Sequence, residues 1–207
     1  CHNINTLLTE AVKKRLMSNR EIGCLLSGGL DSSLICAIVA KHYSGPKLNT
    51  FSIGMPGSID LEYAGKVAEY LGTKHHQIEI SKEEFLNAIE IVIYNIESYD
   101  TTTVRASVGN FLLGKYITNN TDCKVIFNGD GSDEVSCGYV YLKNAPDPLS
   151  LHQENERLLE EIHYFDVLRS DRSMSCNGLE ARTPFLDKSF VDYYLSIPAK
   201  LKMFDGA

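Results

Sequence analysis

A run of small, oxygen-bearing residues lies between two apolar stretches near the start of the chain. Residues 27–33 read SGGLDSS, after an apolar run that ends at Leu26 and before a stretch with helical periodicity. Glycines let an oxyanion approach the backbone, and the N-terminus of the following helix offers N–H groups and a partial positive charge. Because an ordinary N-cap needs fewer small residues, the run predicts a cradle for phosphate or pyrophosphate. It is not a Walker A loop, since the Gly-Lys-Ser/Thr ending is absent.

Asp31 is a poor partner for a bare phosphate, because like charges repel. A magnesium ion between them removes the conflict, since magnesium takes one or two carboxylates together with phosphate oxygens. A second small turn, GDGSDE at 129–134, follows another apolar run and offers Asp133 as a further carboxylate. The two turns together predict a magnesium–polyphosphate site.

Strands and helices alternate as far as Tyr141, which indicates a parallel sheet covered on both faces. Ser81 is expected to cap a helix start and Gly72 a helix end. Because ligands of open parallel sheets bind beyond the carboxyl ends of the strands, both turns belong to the ligand edge. The predicted strands are 22–26, 48–54, 75–80 and 123–129. Before Tyr141 the predicted helices are 4–19, 32–42, 60–72, 82–96 and 104–119. After Tyr141 the sequence predicts helices alone, at 150–170, 172–178 and 187–196.

The composition limits the classes of partner. The net charge of −7, from 20 basic and 27 acidic side chains, argues against a nucleic-acid-binding module. Six scattered cysteines without a C-x-x-C pair suit a reducing compartment, and no apolar stretch reaches membrane-spanning length, so we expect a soluble, cytoplasmic protein without a membrane partner. The neighbours His75 and His76 would point to opposite faces of a strand, which disfavours a shared metal ion.

The first turn resembles the pyrophosphate-binding loop of the N-type ATP pyrophosphatases. Four longer segments, at 51–76, 96–107, 128–146 and 166–188, resemble the synthetase domain of glutamine-dependent asparagine synthetases of eukaryotic type, and they occur in that family's order. The resemblance implies an α/β fold, an open parallel sheet with helices on both faces as in the adenine-nucleotide alpha-hydrolases, followed by a helical C-terminal part. We expect an α/β part at 1–141 and a helical part at 142–207, a fragment without the N-terminal glutaminase domain.

The resemblance also implies an activity. Aspartate would be amidated to asparagine through a β-aspartyl-AMP intermediate, with ATP and Mg²⁺ required and AMP and pyrophosphate released. Ammonia would come from glutamine in the full-length parent, for which the family allows a homodimer. Two alternatives stay open: an ATP-binding fragment or degenerate paralogue without turnover, and the β-lactam-forming cousin of the family.

Residues of the family's motifs carry over to this chain position by position. Asp130 and Arg105 would be catalytic, and Thr102 and Thr103 would lie near the substrates. Asp31 and Asp133 would hold magnesium. The residues expected to contact ATP are Leu26, Ser27, Gly28, Gly29, Asp31, Ser32, Ser33, Ile53, Asn128 and Gly129.

The chain departs from the family in three places. The family usually reads SGEGSDE where this chain reads NGDGSDE, so that Asp130 keeps the carboxylate but is one methylene shorter. Cys1 matches the family's catalytic N-terminal cysteine only superficially, because it leads directly into the first helix of the synthetase part. The family's Lys-rich segment, which closes over the phosphates, lies beyond the last residue of this sequence.

Overall fold

Five parallel strands form one sheet, in a computed structural model that describes residues 1–204. The order across the sheet is β3-β2-β1-β4-β5, and every neighbouring pair is parallel. The strands are β1 Glu21–Leu25, β2 Asn49–Gly54, β3 Lys74–Glu79, β4 Cys123–Phe127 and β5 Glu180–Arg182.

The four strands expected from the sequence are confirmed to within two residues at their ends. The prediction of helices alone after Tyr141 is wrong, because β5 pairs with β4 through the partners Val125 and Glu180. Three residues with two charges carry too little periodicity to indicate a strand; β5 forms because β4 offers it an open edge. The division of the chain near residue 141 stays a prediction.

Helices connect the strands and cover the sheet. They are α1 His2–Lys13, α2 Leu30–His42, α3 Ile59–Leu71, α4 Lys82–Asn87, α5 Ile89–Ile96, α6 Thr101–Asn120, α7 Ser132–Ser136, α8 Pro148–Glu161, α9 Asp166–Ser175 and α10 Lys188–Ser196. Among residues 1–204, no helix is long and apolar enough to cross a membrane.

Both helix ends predicted from capping residues are confirmed. Ser81 accepts a hydrogen bond from the N–H of Glu84, whose carboxylate accepts in return from the N–H of Ser81. Gly72 ends α3 with φ +66°, a conformation that glycine adopts without strain. The predicted helix at 82–96 is divided at Ala88 into α4 and α5, and the one at 150–170 into α8, a 3₁₀ turn and the start of α9.

Side chains on the two faces of the sheet enter different cores. Cys24 of β1 and Phe127 of β4 pack with α1, α2, α3 and α10 on one face. Phe51 of β2 and Ile126 of β4 pack with α6 and α9 on the other, and α5 extends this layer against α6. The open parallel sheet with helices on both faces is therefore confirmed.

The strand order places a topological switch point between β1 and β4. From β1 the chain moves outward through β2 to β3, and then returns to the opposite side of β1 with β4. Helices that leave neighbouring strands on either side of such a point diverge and open a crevice at the carboxyl edge. The two turns singled out from the sequence follow directly after β1 and β4.

Candidate functional site

A cavity of about 270 Å³ lies in this crevice. Both turns contribute to its wall, and further wall residues come from α6, α7 and α9. The residues that line it are Leu25, Ser27, Asp31, Ser32, Asn110, Asn128, Gly129, Asp130, Gly131, Ser132, Asp133, Glu134 and Arg169.

Hydroxyl groups hold the first turn in shape. The Oγ atoms of Ser27 and Ser32 lie 2.9 Å apart, and Ser32 Oγ also accepts from the backbone N–H of Ser27 at 3.2 Å. Gly28 has φ +81°, and a Cβ there would stand 2.6 Å from the backbone nitrogen of Ala64 in α3. Gly29, by contrast, is an ordinary N-cap with φ −70°. The loop therefore needs glycine at position 28, for its conformation and for its packing.

The two turns touch at Gly129. A Cβ added at this position would lie 3.0 Å from the backbone nitrogen of Ser32 and 3.2 Å from Cβ of Asp31. Only a residue without a side chain allows this approach without displacing the first turn of α2. Gly129 therefore brings the acidic turn after β4 against the serine-rich turn after β1.

Asn128 organises the start of the acidic turn. Its side-chain Nδ2 donates to Oδ2 of Asp130 and to Oγ of Ser170 in α9, each at 2.7 Å. Its Oδ1 accepts from the backbone N–H of Asp130 at 3.4 Å. Asn128 is 3% exposed and Ser170 1%, whereas Asp130 faces the cavity. A buried polar network thus reaches one carboxylate at the cavity wall.

The short helix α7 carries the next two acidic residues. Asp133 lines the cavity, and its Oδ1 lies close against the backbone of Gly138. Glu134 is 4% exposed and accepts a hydrogen bond from the hydroxyl of Tyr139. The buried Asn155 of α8 donates through Nδ2 to the carbonyl of Glu134. Polar contacts from Tyr139 and Asn155, neither of which lines the cavity, thus support α7.

The charges along the wall indicate what the cavity can bind. Among the wall residues that the structure describes, four are carboxylates, Asp31, Asp130, Asp133 and Glu134, and one is a guanidinium, Arg169. A polyphosphate alone would be repelled by this excess of negative charge. Magnesium prefers hard oxygen ligands and is bound by one or two carboxylates plus phosphate oxygens, so Asp31 and Asp133 suit a magnesium–phosphate complex.

Eight residues of the predicted site do not line the cavity. Leu26 is 1% exposed, and its N–H donates to the carbonyl of Phe51. Arg105 and Thr102 are exposed on α6, while Thr103 is buried near the N-terminus of that helix. The other four are Gly28, Gly29, Ser33 and Ile53. Their roles stay predictions; seven of the expected residues meet at the cavity, namely Ser27, Asp31, Ser32, Asn128, Gly129, Asp130 and Asp133.

Three side chains important to the site were missed from the sequence. Arg169 and Asn110 line the cavity, and Ser170 anchors Asn128. All three lie within helical segments, α6 or α9, that carry no glycine-rich or acidic signature. Only the fold brings them to the carboxyl edge, so no local pattern indicates them.

The neighbours His75 and His76 bind separate partners within the sheet. The ring nitrogens of His75 lie 3.0 Å from Oγ1 of Thr50 and 3.1 Å from Oγ of Ser52. The Nε2 atom of His76 lies 3.1 Å from Oδ1 of Asn49. Burial lowers the pKa of both imidazoles, and the neighbouring His76 lowers that of His75 further. These contacts assign the pair a structural role in joining β2 to β3.

A family model and several curated relatives match nearly the whole of this chain. The family model for asparagine synthase matches residues 3–150 and 141–207. The chain is 52% identical over 205 residues to asparagine synthetase [glutamine-hydrolyzing] of Gallus gallus, and 50% identical over 206 residues to that of Homo sapiens. These alignments cover 97% and 98% of the chain but 36% and 37% of the relatives. The chain thus spans little more than a third of the curated relatives' length.

A solved structure supports the fold independently. The U34-tRNA thiolase NcsA from Methanococcus maripaludis superimposes with a TM-score of 0.54 at 14% identity. The match covers 100% of this chain and 67% of that protein. At this identity the likeness concerns the fold alone.

Proposed function

The chain belongs to the asparagine synthase family, and from this premise we propose that its cavity binds MgATP and activates aspartate for conversion to asparagine. The observation that carries the proposal is the contact of the two turns at Gly129, beside the switch point of the sheet. It joins hydroxyl and amide donors for phosphate to carboxylates suited to magnesium. A polyphosphate and a divalent cation are the ligands that need both sets of groups.

Each part of the cavity has a role in this reaction. Ser27, Ser32 and the N-terminus of α2 would receive the β- and γ-phosphates, and Asp31 and Asp133, which line the cavity, would hold magnesium. When bound, the metal ion neutralises charge on the phosphate oxygens. We assign to Arg169 the stabilisation of the negative charge that develops at the α-phosphate. The sequence alone indicates Arg105 for this role.

The bond changes follow from the chemistry of a carboxylate. A side-chain oxygen of aspartate attacks the α-phosphorus of ATP, and the bond to the β-phosphate oxygen breaks, so that pyrophosphate leaves with the electron pair. Ammonia then attacks the acyl carbon of β-aspartyl-AMP and loses a proton as AMP departs. Asp130, a carboxylate on the cavity wall, is placed to orient the attacking ammonia or accept its proton.

The longer protein would supply what this stretch of chain does not. We propose that ammonia is released from glutamine by a separate domain, and that the parent protein forms a homodimer in the cytoplasm. Free thiols are consistent with that compartment: the six cysteines, all within the described residues, are unpaired.

Formation of AMP from MgATP tests the proposal when aspartate and ammonium are supplied separately and together. We expect pyrophosphate only when aspartate is present, and AMP in an equal amount when ammonium is supplied as well. A chain that binds MgATP but releases no pyrophosphate with aspartate and ammonium would be an ATP-binding module without turnover. AMP formation dependent on a β-amino acid instead of aspartate would indicate the β-lactam-forming reaction.

A further inference from the structure

The side chain of Asn128 makes three polar contacts within the protein. Nδ2 donates to Asp130 Oδ2 and to Ser170 Oγ, both at 2.7 Å, and Oδ1 accepts from the N–H of Asp130. Both the amide nitrogen and the amide oxygen are therefore engaged inside the turn. A nucleotide would have to displace one of these buried contacts to bind the Asn128 side chain.

The contacts fix both the backbone and the carboxylate of Asp130. One Asn128 side chain bonds to the N–H of Asp130 and to the end of its side chain, which restricts both the turn and the rotamer. Ser170 fixes Asn128 in turn from α9, the helix that also brings Arg169 to the cavity. The lengths of the two side chains are matched, since an asparagine reaches a carboxylate that ends at Cγ.

We propose that Asn128 and Ser170 are positioning residues, which aim the carboxylate of Asp130 into the cavity for the amide-forming step. This inference rests on the proposed function. In this proposal the side chain of Asn128 orients Asp130, and only the backbone of Asn128 contacts the nucleotide. A serine at 128 is too short to reach Asp130, and a glutamate at 130 overshoots Asn128. Serine and glutamate together restore the match of lengths.

The hydrogen bonds are tested first, by a measurement that needs no turnover. The side-chain amide resonances of Asn128 are identified by their loss in the Asn128→Ser variant. Asp130→Ala and Ser170→Ala should each shift these resonances, whereas Ser175→Ala, an exposed serine on the same helix, should leave them in place. If neither Asp130→Ala nor Ser170→Ala shifts these resonances, the proposal is overturned, whether or not the chain is active.

A double-variant cycle then tests positioning. Asn128→Ser and Asp130→Glu should each lower kcat for AMP formation from ATP, aspartate and ammonium by about 100-fold, since a displacement near 1 Å has that effect, while KM for ATP stays within a few-fold. The double variant should recover to within about tenfold of the parent chain, because contacting residues couple. Asn19→Ser, the same change at an exposed residue outside the cavity, should have no effect.

The outcomes separate the two proposals. Losses that simply multiply in the double variant would show that the two side chains act independently and would overturn the positioning role. A rise in KM for ATP without loss of kcat in Asn128→Ser would assign that side chain to the nucleotide instead. A parent chain without pyrophosphate release would contradict the proposed function, and the resonance measurement would still decide whether Asn128 orients Asp130.

Discussion

Gly129 and Ser32 approach each other so closely that a Cβ at position 129 would stand 3.0 Å from the backbone nitrogen of Ser32. This contact joins the turn after β1 to the turn after β4 across the switch point of the sheet. The serine hydroxyls and the acidic side chains share one cavity because these two backbones meet. The geometry of the site therefore depends on a residue that has no side chain.

Gly129→Ala should separate the two turns and weaken nucleotide binding. We expect a loss of about 1–3 kcal/mol in the free energy of unfolding, as for other overpacked sites, and a lower affinity for MgATP. Gly65→Ala is the matched control, because a Cβ there meets nothing within 4 Å inside α3 and should stabilise the helix by about 1 kcal/mol. Denaturant unfolding and calorimetry measure both effects. Unchanged MgATP affinity in Gly129→Ala would contradict the role given to this contact.

Asp31→Asn should weaken the binding of magnesium pyrophosphate by about 10- to 100-fold while the fold persists. The substitution replaces a negatively charged carboxylate, which the metal ion favours, by a neutral amide. Asp31 lines the cavity, so the lost charge is at the proposed metal site. Asp192→Asn removes the same charge from an exposed position on α10 and serves as the control. Equal affinities of the Asp31→Asn and Asp192→Asn variants, measured by calorimetry, would remove the metal role from Asp31.

The variants Arg169→Gln and Arg105→Gln test which of the two arginines stabilises charge at the α-phosphate. Arg169 is the candidate from the structure, and Arg105 is the candidate from the sequence. Arg169 lines the cavity and Arg105 is exposed on α6. Loss of a donor that stabilises transition-state charge lowers kcat by about 10²–10³-fold, and we expect this loss for Arg169→Gln. Steady-state kinetics with saturating MgATP measures it. The opposite order of effects would restore Arg105 as the catalytic cation.

The sequence predicts the two turns at the carboxyl edge of the sheet, but it does not indicate which side chains of the surrounding helices complete the cavity. The turns at 27–33 and 129–134 can be recognised from their composition, because phosphate-binding loops and metal sites need small and acidic residues in succession. Arg169 and Ser170 lie in an ordinary amphipathic helix, and only the position of α9 in the fold brings Arg169 to the cavity and Ser170 to Asn128. β5 was missed for a similar reason, since its pairing with β4 and not its own residues makes it a strand.

The partners of Asn128 illustrate the same limit. The departure at 128–134 replaces the family's usual serine by asparagine and its glutamate by aspartate, and the sequence does not show that the two changes are linked. In the structure the two altered side chains are hydrogen-bonded to each other at 2.7 Å. The sequence alone does not indicate this coupling, because residues two apart in a turn are not placed by any regular periodicity.

Acidification should destabilise the protein through His75. Burial holds the pKa of His75 below its ordinary value of 6.5, so the unfolded chain binds more protons than the folded one as the pH falls. The contribution of His75 to stability is complete above pH 6.5 and is lost as the pH falls from there through the folded-state pKa. Thermal unfolding between pH 7.5 and 5.5 should therefore show a smaller decline in His75→Gln than in the parent chain. His2→Gln, at an exposed histidine, should decline like the parent, and identical declines in all three proteins would refute the assignment.

Asp130→Ala should separate nucleotide binding from chemistry. The cradle of serine hydroxyls and the magnesium ligands remain, so MgATP affinity should stay within a few-fold. The rate of AMP formation from ATP, aspartate and ammonium should fall by about 10²–10⁴-fold, the usual contribution of a positioned acid or base. Binding by calorimetry and AMP formation are measured on the same preparation. A parent-like rate would show that the carboxylate only shapes the turn.

Transfer of oxygen from aspartate to AMP tests the central claim most directly. If the side-chain carboxylate attacks the α-phosphorus of ATP in this cavity, aspartate labelled with ¹⁸O in that carboxylate should deliver one labelled oxygen to each AMP formed with ammonium. Mass spectrometry of the AMP measures the transfer, and Asp130→Ala should suppress the labelled product. Labelled AMP formed only with aspartate is the predicted result. AMP that carries no label from aspartate, or takes its new oxygen from water, would contradict the account.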